Sequence, residues 1–409
     1  MQQKRAYERL LDYAMIHTAS AENASQTPST TQQFDLAHVL QRELEELGAT
    51  EVWVDEEHCY VYAKLPATQG LENKPCVGFL AHMDTIPDFS GKNVHPRVVE
   101  CYDGGNVILG DSGRILSPQD FPHLHDLKGQ TLIVTDGTTV LGADDKAGVA
   151  EIMTAAQQLL SGAIPHGPIA VGFCPDEEIG HGAELLDLDH FGANLAYTVD
   201  GGAIGEIEYE NFNAAAAEVN FHGFNVHTGT AKDTMINAAL VAMEFNAMLP
   251  AGDTPRNTEG YEGFFHLSSM QGNVEQAQLN YLIRDHDANV FEARKKIMDH
   301  AVKLINERYG KGTATLSIRE QYRNMLEKIK PHFEVVEKAM SAAHSAGFEL
   351  KAVPIRGGTD GARLSYRGLP CPNLPTGSFA HHGPYEHAVA EQMDQCVELI
   401  LGIVQEFAK

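Results

Sequence analysis

Positive charge is scarce in this chain. Lys and Arg number 30 against 56 Asp and Glu in 409 residues, a formal net charge of −26. A phosphate backbone or an anionic bilayer would repel such a chain, which excludes nucleic acid and membrane as partners. Cysteine is scarce too. The six (Cys59, Cys76, Cys101, Cys174, Cys371, Cys396) are scattered and form no C-x-x-C pair. That argues against a disulfide scaffold and for reduced, buried thiols in a cytoplasmic protein. No apolar run approaches the ~20 residues of a membrane span. The opening "MQQKRAYERLLDYAMIH" has the period of an amphipathic helix rather than the apolar core of a signal peptide. The single-zinc signature H-E-x-x-H is missing, as are the P-loop, G-x-S-x-G and a G-x-G-x-x-G after a strand. A soluble, acidic, cytoplasmic protein is expected, of a length that suits two or three domains.

What is present alternates. Apolar strand candidates stand at 59–65 ("CYVYAKL"), 76–80 ("CVGFL"), 131–135 ("TLIVT"), 169–173 ("IAVGF") and 195–200 ("LAYTVD"). Helical periodicity covers "FDLAHVLQRELEELG", with Gly48 suited to the C-cap, and "KAGVAEIMTAAQQLLSG" at 146–162. Short apolar strands between amphipathic helices predict an α/β domain with its sheet covered on both faces. From about residue 212 the texture changes. Strands are expected in "AAAAEVNFHG", "VEQAQLNYLIRDHD" and "GTATLSIREQY", and helices in "TMINAALVAMEFNAML" and "FEARKKIMDHAVKLINERYG". The division that follows is an α/β domain of 1–211 and 324–409, interrupted by a smaller α+β domain at 212–323.

Ligands of an open α/β sheet sit beyond the carboxyl ends of its strands. After "CVGFL" come His82 and Asp84. After "TLIVT" and a turn comes "LGADDKAG", with Asp144 and Asp145. After "IAVGF" come Asp176, Glu177 and Glu178, and "LAYTVD" ends in Asp200. A Gly/Pro-rich loop near the C-terminus adds His381, His382 and His387. One acid at a strand end is ordinarily a cap or a turn residue. Four successive ends of this kind would repel one another in a partly dry cleft at a cost of several kcal/mol. Lys146 and Arg114 are too few to balance them, so divalent metal is the economical counter-charge. Mixed imidazole and carboxylate donors suit Zn²⁺, Mn²⁺ or Co²⁺ better than Ca²⁺ or Mg²⁺, and so many donors suit two ions better than one.

The motifs "AHMDT", "LGADDKAG", "PDEEIG", "YTVDGG", "NVHTGTAK", "PIRGGTDGA" and "HHG" follow the order and spacing of the peptidase T family of aminotripeptidases. That family lies within the di-zinc peptidase clan that also holds aminoacylase and carnosinase. The resemblance runs nearly end to end; "GGTDGA" and "TEGYEGFFHL" resemble peptidase T in particular. It implies a zinc-peptidase catalytic domain, with a mixed sheet flanked by helices, and an inserted α+β lid that in the clan also serves dimerisation. It implies two Zn²⁺ per chain: His82 and Asp200 on one, Glu178 and His382 on the other, Asp144 bridging both. Of the doubled histidines, His382 is the one that precedes the glycine, as the family's ligand does; His387 reads as a cap or core residue. Asp84 would orient His82. Glu177 would be the general base toward a water shared by the ions. The peptide bond Asp144–Asp145 is expected to be cis. His227 on the lid would polarise the scissile carbonyl, and Arg284 of the lid and Arg356 of the 324–409 segment would meet the substrate's terminal carboxylate. The implied substrates are small peptides, tripeptides by preference, and a homodimer is the implied assembly.

Overall fold

Every residue of Val77–His82 is buried, and a strand apolar at successive positions needs cover on both faces. In the computed structural model, which describes residues 4–409, that strand lies inside a six-stranded sheet. The order is Thr50–Val54, Val61–Leu65, Ile169–Cys174, Val77–His82, Leu195–Val199 and Asn373–Leu374. The sheet is mixed. Val77–His82 runs parallel to both of its neighbours, and the strands Thr50–Val54 and Val61–Leu65 are antiparallel additions at one side. The register matters for chemistry. His82 lies opposite Cys174, and Leu80 lies opposite Thr198. The chain therefore leaves all three parallel strands at one level, with His82, the Asp176–Glu178 turn and Asp200 side by side.

The helix Ala143–Leu160 packs on Val77–His82 and between the helices Ala6–Ala14 and Ala390–Ala408. It lies close enough that a Cβ on Gly148 would collide with the Val199 carbonyl and the Asp145 carboxylate, which explains the glycine of "DDKAG". Asp144 and Asp145 have non-helical φ/ψ, so regular helix begins after them, and their mutual peptide bond is cis. The opposite face of the sheet is closed by Tyr60, Tyr62, Phe191, Leu186 and Leu364, among others. Helix Gln33–Leu47 ends on Gly48 at φ 93, the left-handed cap its glycine permits.

One strand lies elsewhere than the periodicity suggests. "TLIVT" contains the strand Leu132–Val134, but in a separate four-stranded sheet with Arg97–Val99, His387–Val389 and Ser378–Phe379. A three-residue apolar strand carries too little pattern to name its sheet.

The first compact unit comprises the chain up to Tyr209, Glu327–Val353 and Thr359–Lys409; the second comprises Glu210–Leu326 and Pro354–Gly358. Within the second unit an antiparallel sheet is ordered Phe264–Gly272, Gln276–Asp285, Asn213–His222, Ala314–Tyr322. Its core is Ala215, Ala217, Val219 and Phe221 from alternate strand positions, closed by Phe245, Phe291, Met298 and Ile305 from two helices. The helix expected at 234–249 is Ala238–Ala247. Asn237 stops it at the N-terminus by accepting the Ala239 and Leu240 amides, at 3.1 and 3.3 Å. The strand Phe264–Gly272 had no counterpart in the periodicity, because it is a largely exposed edge rich in polar residues. The six cysteines are all free. Among the described residues no helix is long and apolar enough to cross a membrane.

Candidate metal centre

His82 is 2% exposed. Its Nδ1 donates to the Asp84 carbonyl at 3.0 Å, which leaves Nε2 a lone pair unless the ring is protonated. That nitrogen faces Asp144 Oδ1 at 3.0 Å and Asp200 Oδ1 at 3.5 Å. The other oxygen of Asp144, Oδ2, lies 3.0 Å from His382 Nε2, and His382 Nε2 is 3.2 Å from Glu178 Oε2. Asp144 thus turns one oxygen to each histidine. Donor atoms of His82, Glu177 and Asp200 all lie within 4.8 Å of one another, as do those of His82, Asp144 and Glu178.

The electrostatics are unbalanced. Burial pushes Glu178 up to about 7 and holds Glu177 and Asp200 above the usual carboxylate range. Hydrogen bonds to Asp144 and Glu178 raise His382 to about 11. Burial opposes the charge of Asp144, yet His382 and His82 hold it well below its ordinary value. Protons on imidazoles are then the only positive charge among four carboxylates. Glu178 Oε1 is buried with no hydrogen-bond partner, and an orphaned acceptor there is costly. An imidazole nitrogen of His82 aimed at two carboxylates, an orphaned carboxylate oxygen and a two-faced Asp144 all fit a pair of divalent cations. The donors are N and O without sulfur, which suits zinc, manganese or cobalt.

Around these donors is a layer of buried groups that fix them. Asp84 does more than orient His82. Its carboxylate accepts the backbone N–H of Glu177 at 3.0 Å and of Glu178 at 3.3 Å, with Oδ1 also 3.3 Å from His82 Nδ1. Asp145 accepts the His82 amide at 3.1 Å and the Gly148 amide at 3.2 Å. Asn373 receives the Asp200 amide at 3.2 Å and donates to Glu208 at 2.6 Å. Asp176, at φ 57, accepts from the Ser29 amide and hydroxyl and from Gln33 Nε2, tying the Ser/Thr-rich loop to the acidic turn. Of the doubled histidines, His381 turns its Nε2 to Ser378 Oγ at 2.8 Å. His382, at φ 65, faces Asp144 and Glu178. His387 is core: it lies in the strand His387–Val389, stacked on His123. The roles of Asp145 and Asn373 carry no local motif; each is a backbone amide bound across a fold.

The remaining candidates lie in the second unit. His227 is exposed, and its Nδ1 accepts the Gly229 amide at 3.1 Å, which puts the ring hydrogen on Nε2. Arg284 is 9% exposed and donates to the Ala215 and Ile283 carbonyls. Arg356 donates to the carbonyls of Thr258, Gly260 and Glu262 and to Thr258 Oγ1, holding the "TEGYEG" loop. A substrate carboxylate would have to compete with these internal acceptors for either guanidinium.

Comparison with known proteins follows the same line. Residues 209–313 match a peptidase dimerisation domain. The peptidase T of Alkaliphilus oremlandii is 49% identical over 409 residues, covering 99% of this chain and 100% of that protein. The peptidase T of Clostridium perfringens is 51% identical over 407 residues, with coverage of 99% and 100%. Among solved structures, an aminopeptidase PepT from Bacillus cereus superposes with TM-score 0.78 at 24% identity, covering 100% of both chains. A dinuclear metal-binding peptidase from Bacillus subtilis superposes with TM-score 0.64 at 14% identity, covering 98% and 96%.

Proposed function

The chain belongs to the peptidase T family, and from that premise we propose that it is a di-zinc aminopeptidase that releases the N-terminal residue of tripeptides. The observation that carries the reading is Asp144, whose two oxygens face different histidines, His82 and His382. His82 and Asp200 would hold one ion, Glu178 and His382 the other, and Asp144 both. Bound there, two zinc ions would supply Lewis-acid charge to the scissile carbonyl and the attacking water.

The chain's own groups do the rest. Glu177 presents its carboxylate beside His82 and Asp200. It takes the proton of the attacking water on one carboxylate oxygen and returns it to the leaving amine. Asp84 holds that base in place through the Glu177 amide. Burial around the carboxylates limits competing water and strengthens every charge interaction at the site. From the insert, taken as a lid and dimerisation domain at 212–323, His227 would donate from Nε2 to the developing oxyanion. Arg284 and Arg356 would contribute to the substrate's carboxylate through the N–H groups their carbonyl partners leave. The match to a dimerisation domain supports a homodimer, and six free cysteines suit a cytoplasmic setting.

The test is substrate choice. Zinc-loaded protein is given Leu-Gly-Gly, Leu-Gly and an N-acetyl amino acid, with a metal count on the same sample. Fastest release of leucine from the tripeptide, at two zincs per chain, is expected. Faster hydrolysis of the acetyl compound would overturn the aminopeptidase reading.

A further inference from the structure

Glu386 lies four residues beyond His382, is 2% exposed, and has no part in the chemistry described so far. Both of its carboxylate oxygens are occupied by backbone. Oε2 accepts the Leu141 amide at 2.7 Å and the Gly142 amide at 2.8 Å, and Oε1 accepts the Asp144 amide at 2.9 Å. These partners lie 242 to 245 residues away in the chain. The Leu141–Asp144 turn needs such an acceptor. Gly142 is left-handed at φ 74, and regular helix starts only after Asp145. These amides therefore point inward with no helical carbonyl to receive them. The segment carrying Glu386 is itself braced, its amide donating to the Gly383 carbonyl at 3.2 Å.

We propose that Glu386 is a positioning residue: its two oxygens lock the Leu141–Asp144 turn to the histidine loop and so fix the separation of Asp144 from His382. One side chain thereby sets the geometry between two ligands drawn from opposite ends of the sequence. The requirement is for an acceptor-only head with two oxygens. A glutamine at 386 could serve the Leu141 and Gly142 amides through its carbonyl, but its NH₂ would then confront the Asp144 amide, donor against donor. Flipped, it would strand the other two amides. An isosteric change of one atom is thus enough to release Asp144.

The inference rests on Asp144 and His382 holding metal, and the experiment separates the two ideas. Zinc affinity is measured by competition with a chromophoric chelator for wild type, Glu386→Gln and a control, Glu391→Gln. Glu391 also accepts one backbone amide, that of Thr131 at 2.8 Å. Its carbonyl survives the substitution. Expected for Glu386→Gln are zinc affinity weakened at least about tenfold and kcat lowered by about the same factor, a range typical of groups that support a ligand. KM should stay within about threefold, and far-UV circular dichroism should be unchanged. Glu391→Gln should match wild type. Unchanged zinc affinity in folded Glu386→Gln would overturn the proposal while leaving the metal reading intact; wild type without zinc would overturn both. If Glu386→Gln does not fold, Glu386→Asp, with the same acceptor-only head on a shorter stem, is judged by the same criteria. Failure of both to fold would assign Glu386 to folding alone and overturn the positioning role.

Discussion

Buried polarity is found in both units, and it is of two kinds. In the second unit it is self-sufficient. Arg294 donates to Asp285 at 2.7 Å and to Asp253 at 2.6 Å over the ring of Phe265. Asn324 Oδ1 accepts the Asn211 amide, Asn213 Oδ1 accepts the Asn324 amide, and Asn211 Oδ1 accepts the Met325 amide. In the first unit the cluster at the strand ends does not balance. Four carboxylates meet three imidazoles, His82, His382 and, at 3.7 Å from Asp144, His381, and one oxygen of Glu178 has no partner. A buried charge that is matched is structure; several buried like charges left unmatched together point to a counter-charge. The lesson is that imbalance, more than burial, marks the site.

Asp144→Ala should break the comparison most completely, because it removes the donor shared by both halves. Both zincs should be lost by metal analysis, with activity at background. Glu177→Ala should separate holding from reacting. Two zincs should remain while kcat falls roughly 10²–10⁴-fold; near-normal turnover would remove Glu177 from the base role. In the second unit Arg294→Met should leave zinc content and KM alone. It strands the buried Asp285 carboxylate, costing about 3 kcal/mol in urea unfolding, and an unaltered midpoint would show the pair to be dispensable.

The neutral histidines beside the site give a pH test. Burial, with His123 alongside, lowers His387 to about 4, against 6.5 when unfolded. Above pH 6.5 neither state takes the proton, and the native protein keeps its full stability. Between 6.5 and 4 the unfolded chain protonates first, so stability falls as pH drops, by up to about 3 kcal/mol. In metal-free protein, His387→Phe should flatten that slope; an equal slope would place the acid sensitivity elsewhere. The smallest effect expected is that of Asp84→Asn. The side-chain amide can still accept one of the two turn amides, so kcat should drop about tenfold with zinc retained. Loss of the metal would make Asp84 a ligand.

Much of the cluster's placement was legible in the sequence, because each candidate ligand closes a strand or opens a helix within a short motif. His82, Asp144, Glu178 and Asp200 are set by where "CVGFL", "LGADDKAG", "PDEEIG" and "LAYTVD" end. What stayed hidden are bonds from a side chain to a distant backbone: Asp84 to the Glu177–Glu178 turn, Asp145 to the His82 amide, Glu386 to the Leu141–Asp144 turn. Such contacts leave no period and no local pattern. The edge strand Phe264–Gly272 was hidden for a related reason, since mostly exposed strands need little apolar sequence.

The backbone at His382 has a consequence for how this centre could change. At φ 65 it occupies a region that glycine, asparagine, aspartate and histidine enter readily and β-branched residues do not. Of these, histidine, aspartate and asparagine would bring a donor atom to the proposed second ion. Drift in metal preference by exchange of this candidate ligand would therefore be confined to a few amino acids before any ion is considered. The loop's handedness filters the substitutions first, and the metal selects among what remains.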